Sequence, residues 1–287
     1  MDLFSPAKIN LFLKVLGKRP DGYHNLSSLF QAITLGDTLS IEPHDKDLLT
    51  CSDSALPVDS TNLILKALSL FRFKTGINLH AKVHLEKKIP IQAGLGGGSG
   101  NAATVLWACN QLTGEVASIQ QLQAWSAEIG SDIPFFFSHG TAHCTGKGEN
   151  VRNLSPLEPK QVWIIKPRAG LVTAEIFKRF KPAASSSSEE TDASLGINST
   201  LDPFYKGQFP CFNDLEEPAF QALAQLRSLK KTLISCGYET VLMSGSGSAF
   251  FCLGEGKPPQ GQNLMCYPAR FLNRGERIWY TSSGEGR

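Results

Sequence analysis

None of the seven cysteines (Cys51, Cys109, Cys144, Cys211, Cys236, Cys252 and Cys266) forms a C-x-x-C pair. That absence excludes the common zinc and dithiol motifs, and an odd, widely spaced set is not a disulfide framework. Buried free thiols in a reducing cytoplasm are expected. No run of 18 apolar residues occurs, so no membrane span is expected. The opening Met1-Asp2-Leu3-Phe4-Ser5-Pro6-Ala7-Lys8 does not read as a secretory signal: its apolar stretch is broken by Lys14 and no cleavage pattern follows. An excess of either charge is missing as well. Lys and Arg number 28 against 26 Asp and Glu, a net +2 that speaks against a nucleic-acid partner. No internal repeat and no G-x-S-x-G nucleophile elbow is present. The 287 residues suffice for two modest domains or one large one.

What the chain does have is glycine, concentrated at one place. Five of the seven residues from Gly94 to Gly100 are glycine, within Pro90-Ile91-Gln92-Ala93-Gly94-Leu95-Gly96-Gly97-Gly98-Ser99-Gly100. Leu79, Ala81, Val83 and Leu85 alternate with polar residues before this stretch, as in a half-buried strand. Ala102, Ala103, Leu106, Cys109 and Leu112 follow it at helical spacing. The glycines therefore join a strand to a helix N-terminus, where unpaired N–H groups and the helix dipole favour an anion. A flexible turn is the plain alternative. No Lys follows the glycines, so this is not a Walker A loop. The match to the dinucleotide fingerprint from Gly98 to Ala103 lacks its acidic residue some twenty positions on, where Ser118-Ile119-Gln120-Gln121 stands.

Candidate polar residues are spread along the chain. Lys8 and Asn10 share one face of an N-terminal strand whose other face carries Ile9, Leu11 and Leu13; both could simply face water. Pro20-Asp21-Gly22 is a turn that projects Tyr23 and His24. Ser60 is expected to cap a helix through Phe73 that ends at Gly76, and Ser118 another that ends at Gly130. Asp132, before Ile133-Pro134, reads as a helix N-cap or as a functional carboxylate. Thr173 reads as a cap and Phe177 as core. Residues 182–200, polar and rich in Ser, are expected to be a mobile insertion. Gly245 and Gly247 permit a tight turn between two strands, and a last strand is expected near Arg277-Ile278-Trp279-Tyr280.

The loop from Pro90 to Gly100 resembles the signature of the GHMP kinases, P-x-x-x-G-L-G-[GS]-S-[SA]. The start Pro6-Ala7-Lys8-Ile9-Asn10-Leu11, the element Gly130-Ser131-Asp132-Ile133-Pro134-Phe135-Phe136 and the loop Ser244–Ser248 resemble further motifs of the same family in the same order. Arg19-Pro20-Asp21-Gly22-Tyr23-His24 is similar to the element of the branch that acts on a cytidine-diphosphate-linked methylerythritol. One departure is Gly100, where that branch usually has a second serine.

The resemblance implies an α+β, two-domain fold. A domain like domain 2 of ribosomal protein S5 would cover residues 1–155, and a ferredoxin-like domain residues 156–287. It implies an ATP-dependent small-molecule kinase with Mg2+, its ATP held by residues 90–100 and its chemistry by Lys8 and Asp132. Asn10, Tyr23, His24, Thr173 and Phe177 would hold the substrate, Tyr23 stacking on the cytosine opposite Phe177 and His24 bonding its edge. The metal ligands are left open, with Ser99 one candidate. A monomer or weak homodimer is expected, with no nucleic-acid or membrane partner. A homoserine or mevalonate type of kinase, or a non-catalytic nucleotide-binding protein, stands as the alternative.

Overall fold

The computed structural model describes residues 1–181, 197–259 and 263–280. Residues 182–196, most of the expected insertion, lie outside the described residues. Two long strands, β1 (Asp2–Lys18) and β2 (His24–Pro43), pair antiparallel along nearly their whole length. Both are too long for one sheet edge, and β2 serves two partners. Its C-terminal half pairs with β4 (Ala81–Glu86), which pairs in parallel with β3 (Leu48–Cys51); its N-terminal half pairs with β5 (Thr141–Gly146), which continues to β6 (Asn150–Asn153). In β4, Ala81, Val83 and Leu85 are buried and Lys82, His84 and Glu86 exposed, as the alternation requires.

The buried face of this sheet is covered by α1 (Leu63–Thr75) and α2 (Gly97–Leu112), with α3 (Ile119–Ser126) and a short 3-10 helix (Pro134–Phe137) beside them. Ser118 caps α3 through a reciprocal box with Gln121, as expected. The cap of α1 is Asn62 rather than Ser60: its side chain accepts from the Ile64 amide, while Asp59 ties Thr61 into the preceding turn.

The second layer opens with β7 (Gln161–Pro167), passes through α4 (Thr173–Arg179), α5 (Ile197–Tyr205), a two-residue strand β8 (Phe212–Asn213), α6 (Glu216–Ala222) and α7 (Gln225–Ser235), and closes with β9 (Thr240–Met243), β10 (Phe250–Leu253) and β11 (Leu264–Arg270). The sheet order is β11-β7-β10-β9, all antiparallel. Counted along the chain this is 4-1-3-2, the ferredoxin-like order. One face, with Ile164, Leu242 and Phe251, packs on Ile9, Leu11 and Phe12 of β1; the other, with Ile165, Met243 and Phe250, is covered by Phe220, Leu226 and Leu233 of α6 and α7. Strand alternation alone sends successive residues of β9 and β10 to these two cores.

β8 leaves this layer and adds to β1 in parallel at Phe12 and Leu13. The strand expected near 277–280 is absent. Leu264–Arg270 takes the edge position instead, because Trp279 and Tyr280 are drawn into the first core: Trp279 stacks on Trp107, with ring centroids 5.0 Å apart.

Candidate active site

The glycine segment runs over the top of α2, and a buried carboxylate sets its entry. Asp37, fully buried on β2, accepts from the amides of Lys88 (2.8 Å) and Ile89 (2.7 Å), from Lys87 Nζ (2.8 Å) and from Asn101 Nδ2 (3.0 Å). A buried charge is tolerated only when it is paired and bonded in this way. The backbone then takes left-handed values at Gln92, Gly94 and Gly96 (φ 51°, 74° and 68°). Gly96 is the N-cap of α2 and makes no side-chain cap bond, so no side chain at that position occupies the first N–H groups of the helix. Gly97, Gly98 and Ser99 are the first three helical residues and remain half-buried or exposed. Gly100 is different: a Cβ there would lie 2.8 Å from the Pro6 carbonyl and 3.0 Å from Ser5 Oγ. The departure from the usual serine thus goes with a close approach of β1 to α2.

The loop after β9 holds the glycine segment from the other layer. Ser244 Oγ donates to Gly94 O (3.0 Å), the Ser248 amide to Gln92 O (3.3 Å) and the Ala249 amide to Ala93 O (3.2 Å). A Cβ on Gly94 would come within 2.0 Å of Ser244 O. Glycine is required at Gly94 twice over, for its positive φ and for this contact.

Lys8 and Asp132 meet beneath the same helix end. Lys8 is only 3% exposed, and its Nζ lies 2.7 Å from Asn10 Oδ1, 3.3 Å from Asp132 Oδ2 and 4.5 Å from the centre of the Phe30 ring. Its amide donates to Leu95 O (2.9 Å), and its methylenes are 3.0–3.2 Å from where a Gly96 side chain would begin. Asp132, at 33% exposure, does not cap a helix: Ile133 precedes the 3-10 turn and no side-chain cap bond is made. The capping explanation for an Asp before Ile-Pro therefore fails. Asn10 is buried behind Lys8, its Nδ2 donating to Ser28 Oγ (2.9 Å).

The remaining candidates gather at a second, more open end. Asp21 accepts from the Tyr23 amide (3.1 Å) and pairs with Arg19 (3.2 Å), which fixes the turn. Tyr23 stands 61% exposed, with Lys147 Nζ 4.8 Å from its ring centre. His24 stacks on Phe177 (5.4 Å, 24°) and meets the edge of Phe180 (6.0 Å). Burial of the ring, and then the positive charge of Lys18, lower the His24 pKa below its ordinary value. Phe177 is half-buried, packed on the edge of the core under α6 and α7, and its ring contact is with His24. Thr173 is the first residue of α4 rather than its cap, which is Val172; its hydroxyl is 2.8 Å from Ser246 Oγ.

Asp37, Lys147 and Asn213 are absent from the sequence reading as site residues, whereas Ser244 lies in the loop whose resemblance to a family motif marked it. Lys147 lies between two glycines, Gly146 and Gly148, which could have marked it. The other two, Asp37 and Asn213, act on the site through partners 30 or more residues away, and no local pattern shows that. All seven cysteines are free; Cys109, Cys144 and Cys252 are buried and the other four only half-buried, short of the full burial expected. Burial pushes the Cys109 and Cys211 thiols up to about 12. Among the described residues no three His, Cys, Asp or Glu side chains gather as a metal site, and no helix is long and apolar enough to cross a membrane.

The profile of the GHMP kinases N terminal domain matches residues 62–140. The chain is 53% identical over 280 residues to a 4-diphosphocytidyl-2-C-methyl-D-erythritol kinase of Protochlamydia amoebophila, covering 98% of this chain and 93% of that one. A chloroplastic enzyme of the same name from Arabidopsis thaliana is 45% identical over 316 residues, covering 100% of this chain and 80% of its relative. A crystal structure of 4-(cytidine 5'-diphospho)-2C-methyl-D-erythritol kinase superposes with a TM-score of 0.73 at 36% identity, over 89% of this chain and 91% of that one. A homoserine kinase from Cytophaga hutchinsonii shares the fold alone, with a TM-score of 0.70 at 18% identity over 95% of this chain and 94% of the other. With identity of this level over the full length, the chain belongs to the 4-diphosphocytidyl-2-C-methyl-D-erythritol kinase family of the GHMP kinases.

Proposed function

We propose that this kinase transfers the γ-phosphoryl group of ATP to the 2-hydroxyl of 4-diphosphocytidyl-2-C-methyl-D-erythritol, a step of the non-mevalonate route to isopentenyl diphosphate. The observation that carries the mechanism is the 3.3 Å contact between Lys8 and Asp132 directly under the uncapped start of α2. The amides of residues 96–99 receive the ATP phosphates there, as helix N-termini receive anions. Asp132, beside Lys8, takes the proton of the accepting hydroxyl while that oxygen attacks the γ-phosphorus. The bond from the γ-phosphorus to the bridging oxygen breaks, and ADP leaves. Lys8 stabilises the negative charge gathering on the attacking oxygen and the moving phosphoryl group. Lys8, only 3% exposed, interacts with this charge more strongly than a lysine in water would.

The hydroxyl of Ser99, in the first turn of α2, suits Mg2+, which prefers phosphate oxygens and water to a full protein cage. Bound there, the ion would neutralise phosphate charge. The base is read at the other end of the site, by Tyr23 stacking and by His24 bonding its edge, with Phe177 and Thr173 completing the wall. That aromatic corner favours a cytidine substrate over homoserine or mevalonate, neither of which has a base to stack. A panel of the three alcohols with ATP and coupled detection of ADP tests the assignment. Turnover with the cytidine compound alone is expected. Turnover with homoserine or mevalonate instead moves the protein to another branch, and no turnover with any leaves a nucleotide-binding protein.

A further inference from the structure

We infer that Asn213 is a positioning residue for both the nucleotide loop and Lys8, acting from the far layer through Ser244. Asn213 sits in the two-residue strand β8, buried, where the second layer reaches over to β1. Its single amide nitrogen donates two bonds, to Met243 O (2.8 Å) and to Gly245 O (2.7 Å). Its oxygen accepts from the Leu215 amide (2.9 Å), which fixes which way round the amide stands. The two carbonyls it holds are those on either side of Ser244.

Ser244 is fully buried, and its hydroxyl lies between two parts of the site. It donates to Gly94 O (3.0 Å), and it lies 3.4 Å from the Asn10 amide, which donates to it. Asn10 in turn receives Lys8 Nζ. Gly94 and Lys8 thus have one common support in Ser244, and Ser244 is aimed by the carboxamide of Asn213. Only an amide fits this role. A carboxylate of the same shape has no donors and would face two carbonyl oxygens, and an alanine would leave both carbonyls buried without a donor. Asp214 adds a tie of its own, accepting from the Val15 amide (2.9 Å), so β8 is held to β1 independently of Asn213. Loss of the Asn213 amide should therefore loosen the loop without detaching the strand.

The inference rests on the glycine loop holding ATP, but its first test does not. Asn213→Ala and Asn213→Asp are compared with the unchanged protein by hydrogen exchange in the absence of nucleotide, following peptides that cover residues 91–97. Exchange there is expected to rise by about tenfold or more, although residue 213 is over a hundred positions away in sequence. Exchange in β4 and α1 should stay unchanged. In kinetics, the ATP KM should rise by about tenfold while the KM for the cytidine substrate changes by less than about threefold. Should the alanine and aspartate variants fail to fold, Asn213→Ser keeps one donor and is read in the same way. A double cycle with Ser244→Ala completes the set: coupled losses in ATP affinity support the relay, and additive ones refute it. Unchanged exchange in 91–97, or equal rises in both KM values, would also overturn the assignment. Absence of turnover in the unchanged protein would strike the kinase reading while leaving the exchange result to stand or fall by itself.

Discussion

The two ends of the proposed site are built on opposite plans. At the phosphate end, Lys8 is buried, Asp37 is buried, and the glycine loop is bonded from both layers. At the base end, Tyr23 projects from a turn, and His24 and Phe177 rest on each other as half-buried rings. Chemistry on a phosphoryl group needs charges fixed before the substrate arrives, since their stabilisation is lost if they must reorganise. Recognition of a flat base tolerates mobile rings, because stacking depends on area more than on angle. Changes at the first end should therefore act on kcat, on ATP binding or on folding, and changes at the second on the cytidine KM.

The largest expected effect is that of Asp132→Asn. The amide keeps the shape, and Asp132 caps no helix whose stability would suffer. It cannot take the hydroxyl proton, so kcat should fall by about 10²- to 10⁴-fold. ATP affinity, measured by calorimetry, should stay within about twofold. Preserved kcat would remove Asp132 from the chemistry and break the contrast between the ends.

Gly94→Ala probes how rigidly the phosphate end is built. The new methyl would meet Ser244 O at 2.0 Å from a backbone at φ 74°. Overpacking and left-handed strain together should cost about 2–5 kcal/mol, read from the denaturation midpoint, with ATP binding weakened in whatever folds. The equivalent change at Gly22 (φ 86°), where nothing lies within 4 Å of the added carbon, should cost only the strain, about 1–2 kcal/mol.

The unequal legibility of the two ends in the sequence follows from the same contrast. The glycine segment, Tyr23, His24 and Asp132 sit in short local patterns, because loops and turns need particular residue types at particular spacings. The strand before the glycines and the Ser118 cap were legible for that reason too. Asp37 and Asn213 were not: an Asp inside a strand and an Asn beside a helix look ordinary until the fold brings Ile89 or Gly245 to them. The misplaced final strand has a related cause. Arg277-Ile278-Trp279-Tyr280 has strand-like residues, but Trp107 and Phe137 offer the indole a larger buried contact than a sheet edge does. The cap of α1 moved from Ser60 to Asn62 because two polar residues near one helix start compete, and the spacing of the apolar face does not choose between them.

Tyr23→Ala addresses the open end. If the ring stacks on the base, its loss should weaken the cytidine substrate by about 1–3 kcal/mol, or about 5- to 150-fold in KM. The effect on kcat and on melting should be small, since the side chain is exposed and its ring contact is with Lys147. A fall in kcat with KM unchanged would mean that the two ends are not separable.

The smallest expected effect concerns pH and His24. Burial against Phe177 and the charge of Lys18 disfavour the imidazolium, so the ring stays neutral to a lower pH than an ordinary histidine, about 6.5. A neutral imidazole offers one donor and one acceptor. Cytosine presents an amino donor on its edge, so the bare nitrogen of a neutral ring can accept from it, whereas the imidazolium has only donors and opposes the amino group. The cytidine KM should therefore be flat above about pH 6.5 and rise as pH falls through the depressed pKa. Stability follows the same sign: between the two pKa values the unfolded chain binds more protons, so the contribution of the neutral ring is present above the unfolded value and is lost on acidification. Phe177→Ala removes part of the burial and should move the NMR titration midpoint of His24 upward, and the KM rise with it. Lys18→Met should shift the midpoint the same way but less, and added salt should erase that smaller difference. A midpoint that stays put in Phe177→Ala would mean that the stacked pair does not set the charge state of the base-reading ring.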